Sequence, residues 1–366
     1  VNATEFKLKT RDVRKTYGPV VALEAASIEL TEGEFLTLLG PSGSGKTTLL
    51  MAIAGLNDPD GGEIWIDGKL VTYEPPFRRG LGMVFQNYAL FPHMTIFENI
   101  AFPLRMRKED PATIRRKVEQ VLETVQLPQV GSRLPRELSG GQQQRIALAR
   151  CFVYEPSIIL MDEPLGALDK KLRDTLQREI KHLHENLGIT VLYVTHDQEE
   201  AMVMSDRICL MNEGRIEQIG PPDDLYFRPV SLFAADFLGE SNLIQAQVVE
   251  AGAEATVVEA LHGVRIRGLP NPALAAGDRV RFMVRPECVV PVDGEAPDNV
   301  VEGVLKEVIM VGHTTKLFLE LPDGTEMVST QLTRGSISAI ETGRSMRFGW
   351  ARERTVVLPD PRGAGQ

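Results

Sequence analysis

The octapeptide Gly40-Pro41-Ser42-Gly43-Ser44-Gly45-Lys46-Thr47 leaves this chain few folds to choose from. It follows the apolar run Phe35-Leu36-Thr37-Leu38-Leu39, and the residues after it, Thr47, Leu49, Leu50, Ile53 and Ala54, recur at helical spacing. A buried strand, a glycine-rich turn and a helix in that order form the setting in which this motif cradles phosphate. The glycines let the backbone curl with its N–H groups turned inward, and the helix N-terminus adds positive potential. Lys46 would bridge phosphate oxygens, the Thr47 hydroxyl would hold Mg²⁺, and Thr48 is a further contact candidate. An ordinary glycine-rich turn requires neither the lysine nor the strand and helix around it.

A phosphate loop needs a carboxylate for its metal. Asp162 and Glu163 emerge from the apolar run Ile158-Ile159-Leu160-Met161 at what reads as the carboxyl end of a strand, the ligand edge of a parallel sheet. Asp162 would hold Mg²⁺ through its water shell, and Glu163 would act as general base on the water that attacks the terminal phosphate. Leu138-Ser139-Gly140-Gly141-Gln142 precedes the helical run Ile146-Ala147-Leu148-Ala149, which makes Ser139 a natural N-cap. Gly140 and Gly141 leave helix N–H groups open to an anion, a second phosphate site that one nucleotide does not need.

Strands are predicted at Phe6 to Val13, Ala26 to Leu30, Phe35 to Leu39, Ser157 to Met161 and Thr190 to Val194. The largely helical stretch beyond Phe91 reads as an insert inside an α/β domain. Arg207 to Met211 and Arg215 to Ile219 read as a hairpin around Asn212-Glu213-Gly214, with two short helices after it. Beyond Gly239, Val-rich runs punctuated by Gly, Pro and Asp suggest a separate all-β domain. Within it, the segment from Gly277 to Val290 can be laid over that from Gly343 to Val356, matching Arg281 with Arg347, Phe282 with Phe348 and Glu287 with Glu353. Two small barrel-like units are one reading; two hairpins alike by chance are the other.

Composition narrows the function. The 366 residues are 43% hydrophobic and 25% charged, enough for a substantial core and two or three domains. A net charge of −10 sets a nucleic-acid backbone aside as the main partner. Cys151, Cys209 and Cys288 lie far apart, forming neither a metal site nor a disulfide framework, as in a reducing compartment. No apolar run reaches the roughly 18 residues of a membrane span, and Val1-Asn2-Ala3-Thr4-Glu5 lacks the basic and apolar regions of a signal peptide. Any membrane crossing is expected from another chain.

With Leu138 to Gln142 lying between the phosphate loop and Asp162-Glu163, the sequence resembles, over essentially its whole length, the ATP-binding cassette family, the ATPase subunits of ABC transporters. The resemblance implies an α/β P-loop NTPase cassette over residues 1–238, with a helical subdomain at about 88–155. An all-β, TOBE-like domain of two small OB-type barrels would follow over 239–366, with regulation or dimerisation as its role. ATP and Mg²⁺ are the implied ligands. Tyr17 would stack on adenine, Gln86 would lie near Mg²⁺ and the attacking water, and His196 would touch the γ-phosphate. Two copies would pair head to tail, so that Ser139, Gly140, Gly141 and Gln142 of one close on the γ-phosphate held by Lys46 of the other. Asp169, after Gly166-Ala167-Leu168, would be the dimer-contact aspartate. Gly166 departs from the serine of many relatives and drops a side-chain hydrogen bond at that contact. Asp197, Glu199 and Glu200 read as charge stabilisation of a helix N-terminus, and Met202 and Met204 as helix packing.

The β-rich tail is similar to that of bacterial importer ATPases with a C-terminal TOBE domain, and the overall look, Gly239-Glu240-Ser241-Asn242 included, is most similar to spermidine/putrescine importers. That implies two membrane-spanning permease subunits, an extracytoplasmic solute-binding protein as indirect partner, and a place at the cytoplasmic face of the bacterial inner membrane. Tyr88, Leu90 and Phe91 are candidates for the surface that receives the permease, with an ordinary helical-subdomain core as the alternative. Iron(III), sulfate, thiamine and sugar importers share nearly all these motifs. A soluble cassette ATPase acting on nucleic acid or ribosomes would need a second cassette, a coiled-coil insertion or a basic surface. The basic residues from Arg105 to Lys117 are instead interleaved with acids, so no nucleic acid is expected. A small-molecule kinase would leave Ser139 to Gln142 unexplained.

Overall fold

A computed structural model of the chain describes residues 6–85, 89–166, 170–260, 263–292, 294–333 and 341–360. Gln86, Tyr88 and Asp169 lie outside the described residues. The chain divides into two compact units, Val1–Pro222 and Asp223–Gln366.

In the first unit a six-stranded sheet runs in the order Arg215–Gly220, Arg207–Asn212, Phe35–Leu39, Val191–Thr195, Ile159–Asp162, Gly82–Val84. All neighbours are parallel except the first pair, which is the expected hairpin. Phe35–Leu39 and Val191–Thr195 are buried at every position, which is why both read as unbroken apolar runs. A second, antiparallel sheet is built on Leu8–Tyr17, paired with Val20–Ala26 and Gly61–Ile66. The first of these strands extends past the expected Val13, because Gly18 turns it into a hairpin with Val20–Ala26. The helix Lys46–Ala54 shares one apolar core with both sheets, its Leu49, Leu50 and Ile53 joining Leu8, Val13, Leu36 and Leu38.

The helices Ile96–Met106, Pro111–Thr124 and Gly140–Phe152 form a separate apolar cluster within this unit. Thr95 starts the first with a reciprocal bond to Glu98, and Asp110 caps the second by accepting from the Ala112 and Thr113 N–H groups. The helix Lys170–Leu187 is absent from the sequence reading, although Leu176 and Ile180 are buried at its spacing. Its many charged residues mask the narrow apolar stripe. No described helix is long and apolar enough to cross a membrane.

The second unit begins at Asp223, before the expected 239, and so takes in the short helices Pro222–Phe227 and Leu232–Phe237. The physical reason is Arg285, which is 1% exposed. Its guanidinium donates to the carbonyls of Tyr226, Ala235, Gly239 and Glu240 and to the Ser241 hydroxyl, binding both helices to the β structure. Two five-stranded antiparallel sheets follow, one centred on Asn242–Ala251 and the other on Asn299–Val311. The sequence repeat corresponds to a reciprocal exchange between them. Arg279–Val284 passes through the turn Pro286–Cys288 to Val290–Pro291, which pairs with Ser345–Trp350 in the other sheet. Ser345–Trp350 passes through Arg352–Arg354 to Val356–Pro359, which pairs back with Arg279–Val284. The matched Phe282 and Phe348 are both fully buried in one core common to the two sheets.

Candidate functional site

The phosphate loop leaves the carboxyl end of Phe35–Leu39 and enters the helix at Lys46, as its sequence requires. Gly40 has φ +157°, and a Cβ there would stand 2.2 Å from the Met211 carbonyl oxygen. Gly45 has φ +99°, and its Cβ would meet the Ala22 carbonyl oxygen at 2.4 Å. Neither position admits a side chain. The Lys46 ammonium is buried and donates to the carbonyls of Gly40 at 2.9 Å and Pro41 at 2.8 Å. Burial pulls its pKa below the ordinary lysine value, against the opposing pull of Glu163 and Asp162.

Strand order brings the acids to this loop. Val191–Thr195 lies between the loop-bearing strand and Ile159–Asp162, with Leu39 opposite Thr195 and Asp162 opposite Val194. The residues just past these strand ends therefore meet at one carboxyl edge. The Thr47 hydroxyl donates to Asp162 Oδ1 at 3.2 Å. Burial raises the Asp162 pKa, the Thr47 bond opposes this, Glu163 adds to the rise and Lys46 counters it. Glu163 turns into the left-handed region at φ +43°, its N–H donating to the Val194 carbonyl at 3.0 Å. Its Oε2 lies 3.1 Å from Nδ1 of His196.

Ser139 caps the helix Gly140–Phe152, with its N–H donating to Gln142 Oε1 at 3.0 Å and its hydroxyl accepting from the Gln142 N–H at 3.4 Å. Ser139 and Gly140 are exposed, whereas a Cβ on Gly141 would stand 3.1 Å from Leu172. Among the described residues no hydrogen bond or ion pair joins Ser139–Gln142 to Lys46, Asp162, Glu163 or His196. Tyr17 is 50% exposed at the end of its strand, and its hydroxyl accepts from the Asn57 amide. Ser42 and Gly43 are exposed and Thr48 half-buried. Leu90 and Phe91 are half-buried, with Phe91 packed 4.8 Å from the Phe102 ring, so helical-subdomain packing engages both.

The acidic residues after His196 divide. Asp197 is a helix cap, its Oδ1 accepting from the N–H groups of Glu199 at 2.9 Å and Glu200 at 3.2 Å. Glu200 stands in the first turn of the following helix as read, but it is also 2% exposed and accepts from the hydroxyls of Tyr193 at 2.8 Å and Thr195 at 2.6 Å. The helix Gln198–Met204 turns this residue onto the sheet, together with Met204, which is buried as expected. Arg173, which sequence reasoning missed, donates to Asp197 Oδ2 at 2.7 Å. Nothing local marks it, because its partner comes from another strand and helix.

A glycine-rich loop opening a helix, a carboxylate bonded to that loop's threonine and an acid–imidazole pair at one sheet edge, with a separate capped Ser-Gly-Gly helix start, are the arrangement of an ATP-binding cassette, and the chain belongs to the ABC transporter family of ATPases. Residues 23–166 match the ABC transporter family and residues 282–358 the TOBE domain. The chain is 43% identical to the spermidine/putrescine import ATP-binding protein PotA of Rubrobacter xylanophilus, over 97% of this chain and 94% of that protein. It is 44% identical to the protein of the same name from Thermotoga maritima, over 87% and 88% of the two chains. Among solved structures it is similar to the ABC transporter component cbiO1 of Clostridium perfringens, with TM-score 0.57, 28% identity and coverage of 61% of this chain and 91% of that one. The cassette MJ0796, a dimer described in a post-hydrolysis state with ADP and Pi, gives TM-score 0.52 and 35% identity over 59% of this chain and 98% of that one.

Proposed function

We propose that this chain is the motor subunit of an importer for a polyamine such as spermidine or putrescine, working as a head-to-tail homodimer on two membrane-spanning permease subunits. The observation that carries the reading is the meeting of Lys46, Thr47, Asp162, Glu163 and His196 at one carboxyl edge. The loop N–H groups and Lys46 bind the β- and γ-phosphates, and the exposed Tyr17 ring receives adenine. Glu163 takes the proton of the attacking water, while His196 contacts the γ-phosphate side of the site. Thr47 and Asp162 fit Mg²⁺, since one hydroxyl and one carboxylate already lie 3.2 Å apart and this ion fills its remaining positions with water and phosphate oxygens. When bound, Mg²⁺ supplies neutralisation of charge on the phosphates. Gln86 and Asp169 enter as further expected contacts, to the attacking water and to the partner cassette.

The exposed Ser139–Gly140 start suits the same scheme, because its open N–H groups serve a phosphate on a second copy rather than on its own. Binding of ATP then draws two cassettes together, and loss of the γ-phosphate contacts releases them, a displacement passed to the permease through the helical subdomain. The chain works at the cytoplasmic face of the membrane, with the solute-binding protein on the other side. The polyamine assignment is supported by the names of relatives 41% to 44% identical over nearly the whole chain. Glu163→Gln tests the mechanism: ATP binding persists while turnover falls by roughly 10²-fold or more. Near-normal turnover in that variant removes Glu163 from the reaction. Labelled spermidine uptake into vesicles carrying the reconstituted complex, with sulfate and maltose as competitors, tests the solute.

A further inference from the structure

His196 stands in an unusual mechanical position. Its side chain is 56% exposed, so packing does little to fix the ring, which among the described residues meets Glu163 and is otherwise set by the backbone on either side. Both flanking residues are held. Before it, the Thr195 hydroxyl donates to Glu200 Oε2 at 2.6 Å and accepts from the Asp197 N–H at 3.0 Å, closing the turn across His196. After it, Asp197 receives Arg173 Nη1 at 2.7 Å while capping the next helix. Glu200 joins the two holds: it also accepts from the Tyr193 hydroxyl, and its Oε1 lies 3.8 Å from Arg173 Nε.

Packing alone does not account for this cluster. Glu200 is 2% exposed, and burying a carboxylate is costly unless charge and hydrogen bonds compensate; an apolar side chain of similar size would fill the space without that cost. The neighbouring pair Lys170–Glu199, at 3.7 Å and largely exposed on both sides, contributes little by comparison. Arg173 stands on the first turn of Lys170–Leu187, the helix that the chain builds after leaving Glu163.

We propose that Arg173 and Glu200 are positioning residues for His196, clamping the Thr195–Asp197 turn so that the imidazole meets Glu163. A shift of the helix Lys170–Leu187 is then felt at His196 through Arg173 and Asp197. The inference rests on the reading of Glu163 and His196 as the hydrolytic pair.

The test uses the full chain and steady-state ATP hydrolysis. Arg173→Met and Thr195→Val each lower kcat by about tenfold while KM for ATP stays within about twofold, because only a group aligned for the reaction is disturbed. Arg173→Lys restores a large part of the loss. In a His196→Ala background, followed by single-turnover measurement, Arg173→Met costs less than a further factor of about two, since its effect runs through the missing ring. Unchanged kcat in Arg173→Met, or an equal loss with and without His196, overturns the proposal. Should Arg173→Met fail to fold, Glu200→Gln, which keeps the shape of the buried residue, takes its place with the same outcomes. If Glu163→Gln cuts turnover by roughly 10²-fold or more and the clamp variants leave kcat unchanged, only the clamp is wrong; if Glu163→Gln leaves turnover intact, the underlying reading falls first.

Discussion

Lys46 in the first unit and Arg285 in the second are both buried cations resting on backbone carbonyls, yet they do opposite work. Arg285 spends its guanidinium on four carbonyls and a hydroxyl, and the Tyr226 ring covers it at 4.1 Å. A guanidinium bonded to the chain itself through all three of its nitrogens serves as a structural rivet. Lys46 donates to the Gly40 and Pro41 carbonyls and, at 3.4 Å, to the Ser44 hydroxyl, all in its own loop, with Glu163 and Asp162 as its principal charged neighbours. An ammonium in that position is a charge that the fold tolerates rather than uses for its own cohesion. Burial of a cation is therefore not a sign of function; what separates the two is that Arg285 ties together distant segments of its unit, whereas Lys46 bonds only within its own loop, beside Asp162 and Glu163.

The comparison breaks most visibly at Lys46. Lys46→Ala is expected to weaken ATP binding by more than about 100-fold, the scale of losing a charged, desolvated phosphate contact, while the melting temperature of the first unit does not fall. Calorimetric titration with ATP and a thermal scan on the same sample check both halves; loss of folding with Lys46→Ala would make it a rivet too. Arg285→Ala is expected to do the reverse. Leaving four carbonyls without a donor costs about 3 kcal/mol or more, read as a lowered unfolding transition of the second unit in the full chain, with ATP affinity unchanged. The smallest effect is with pH. Because the Lys46 pKa is lowered, its proton is lost below the ordinary value of 10.5, so ATP affinity starts to fall on the alkaline side before that value. Burial lowers the Arg285 pKa as well, but from the higher guanidinium value, so any alkaline loss of stability in the second unit should come at higher pH than the loss of ATP affinity.

Much of the site was legible because it is local. The loop from Gly40 to Thr47, the cap at Ser139 and the strand before Asp162 each follow from adjacent residues, whose backbone geometry hardly depends on the rest of the molecule. The burial of Glu200 was hidden for the same reason in reverse: three acids after a histidine read as charge stabilisation of a helix start, and only the strand partners Tyr193 and Thr195 reveal that one of them is also buried. The repeat in the tail signalled two related strand-turn-strand pieces. It carried no sign that each piece gives its last strand to the other sheet, because β pairing partners are chosen by register and shared core, not by sequence order.

Taken by itself, the order of residues determined which segments can curl around phosphate, which helix starts stay open to an anion, and that the tail is a different kind of domain. Those are consequences of glycine freedom, capping and hydrophobic period, all properties of neighbours in the chain. Tertiary structure alone decided that Thr47 would reach Asp162 across 115 positions, that Glu163 and His196 would leave adjacent strands at matching heights, and that Arg173 would reach Asp197 from another helix. Such meetings depend on strand order and register, which are set by burying apolar faces throughout the unit and cannot be written into any one stretch of it.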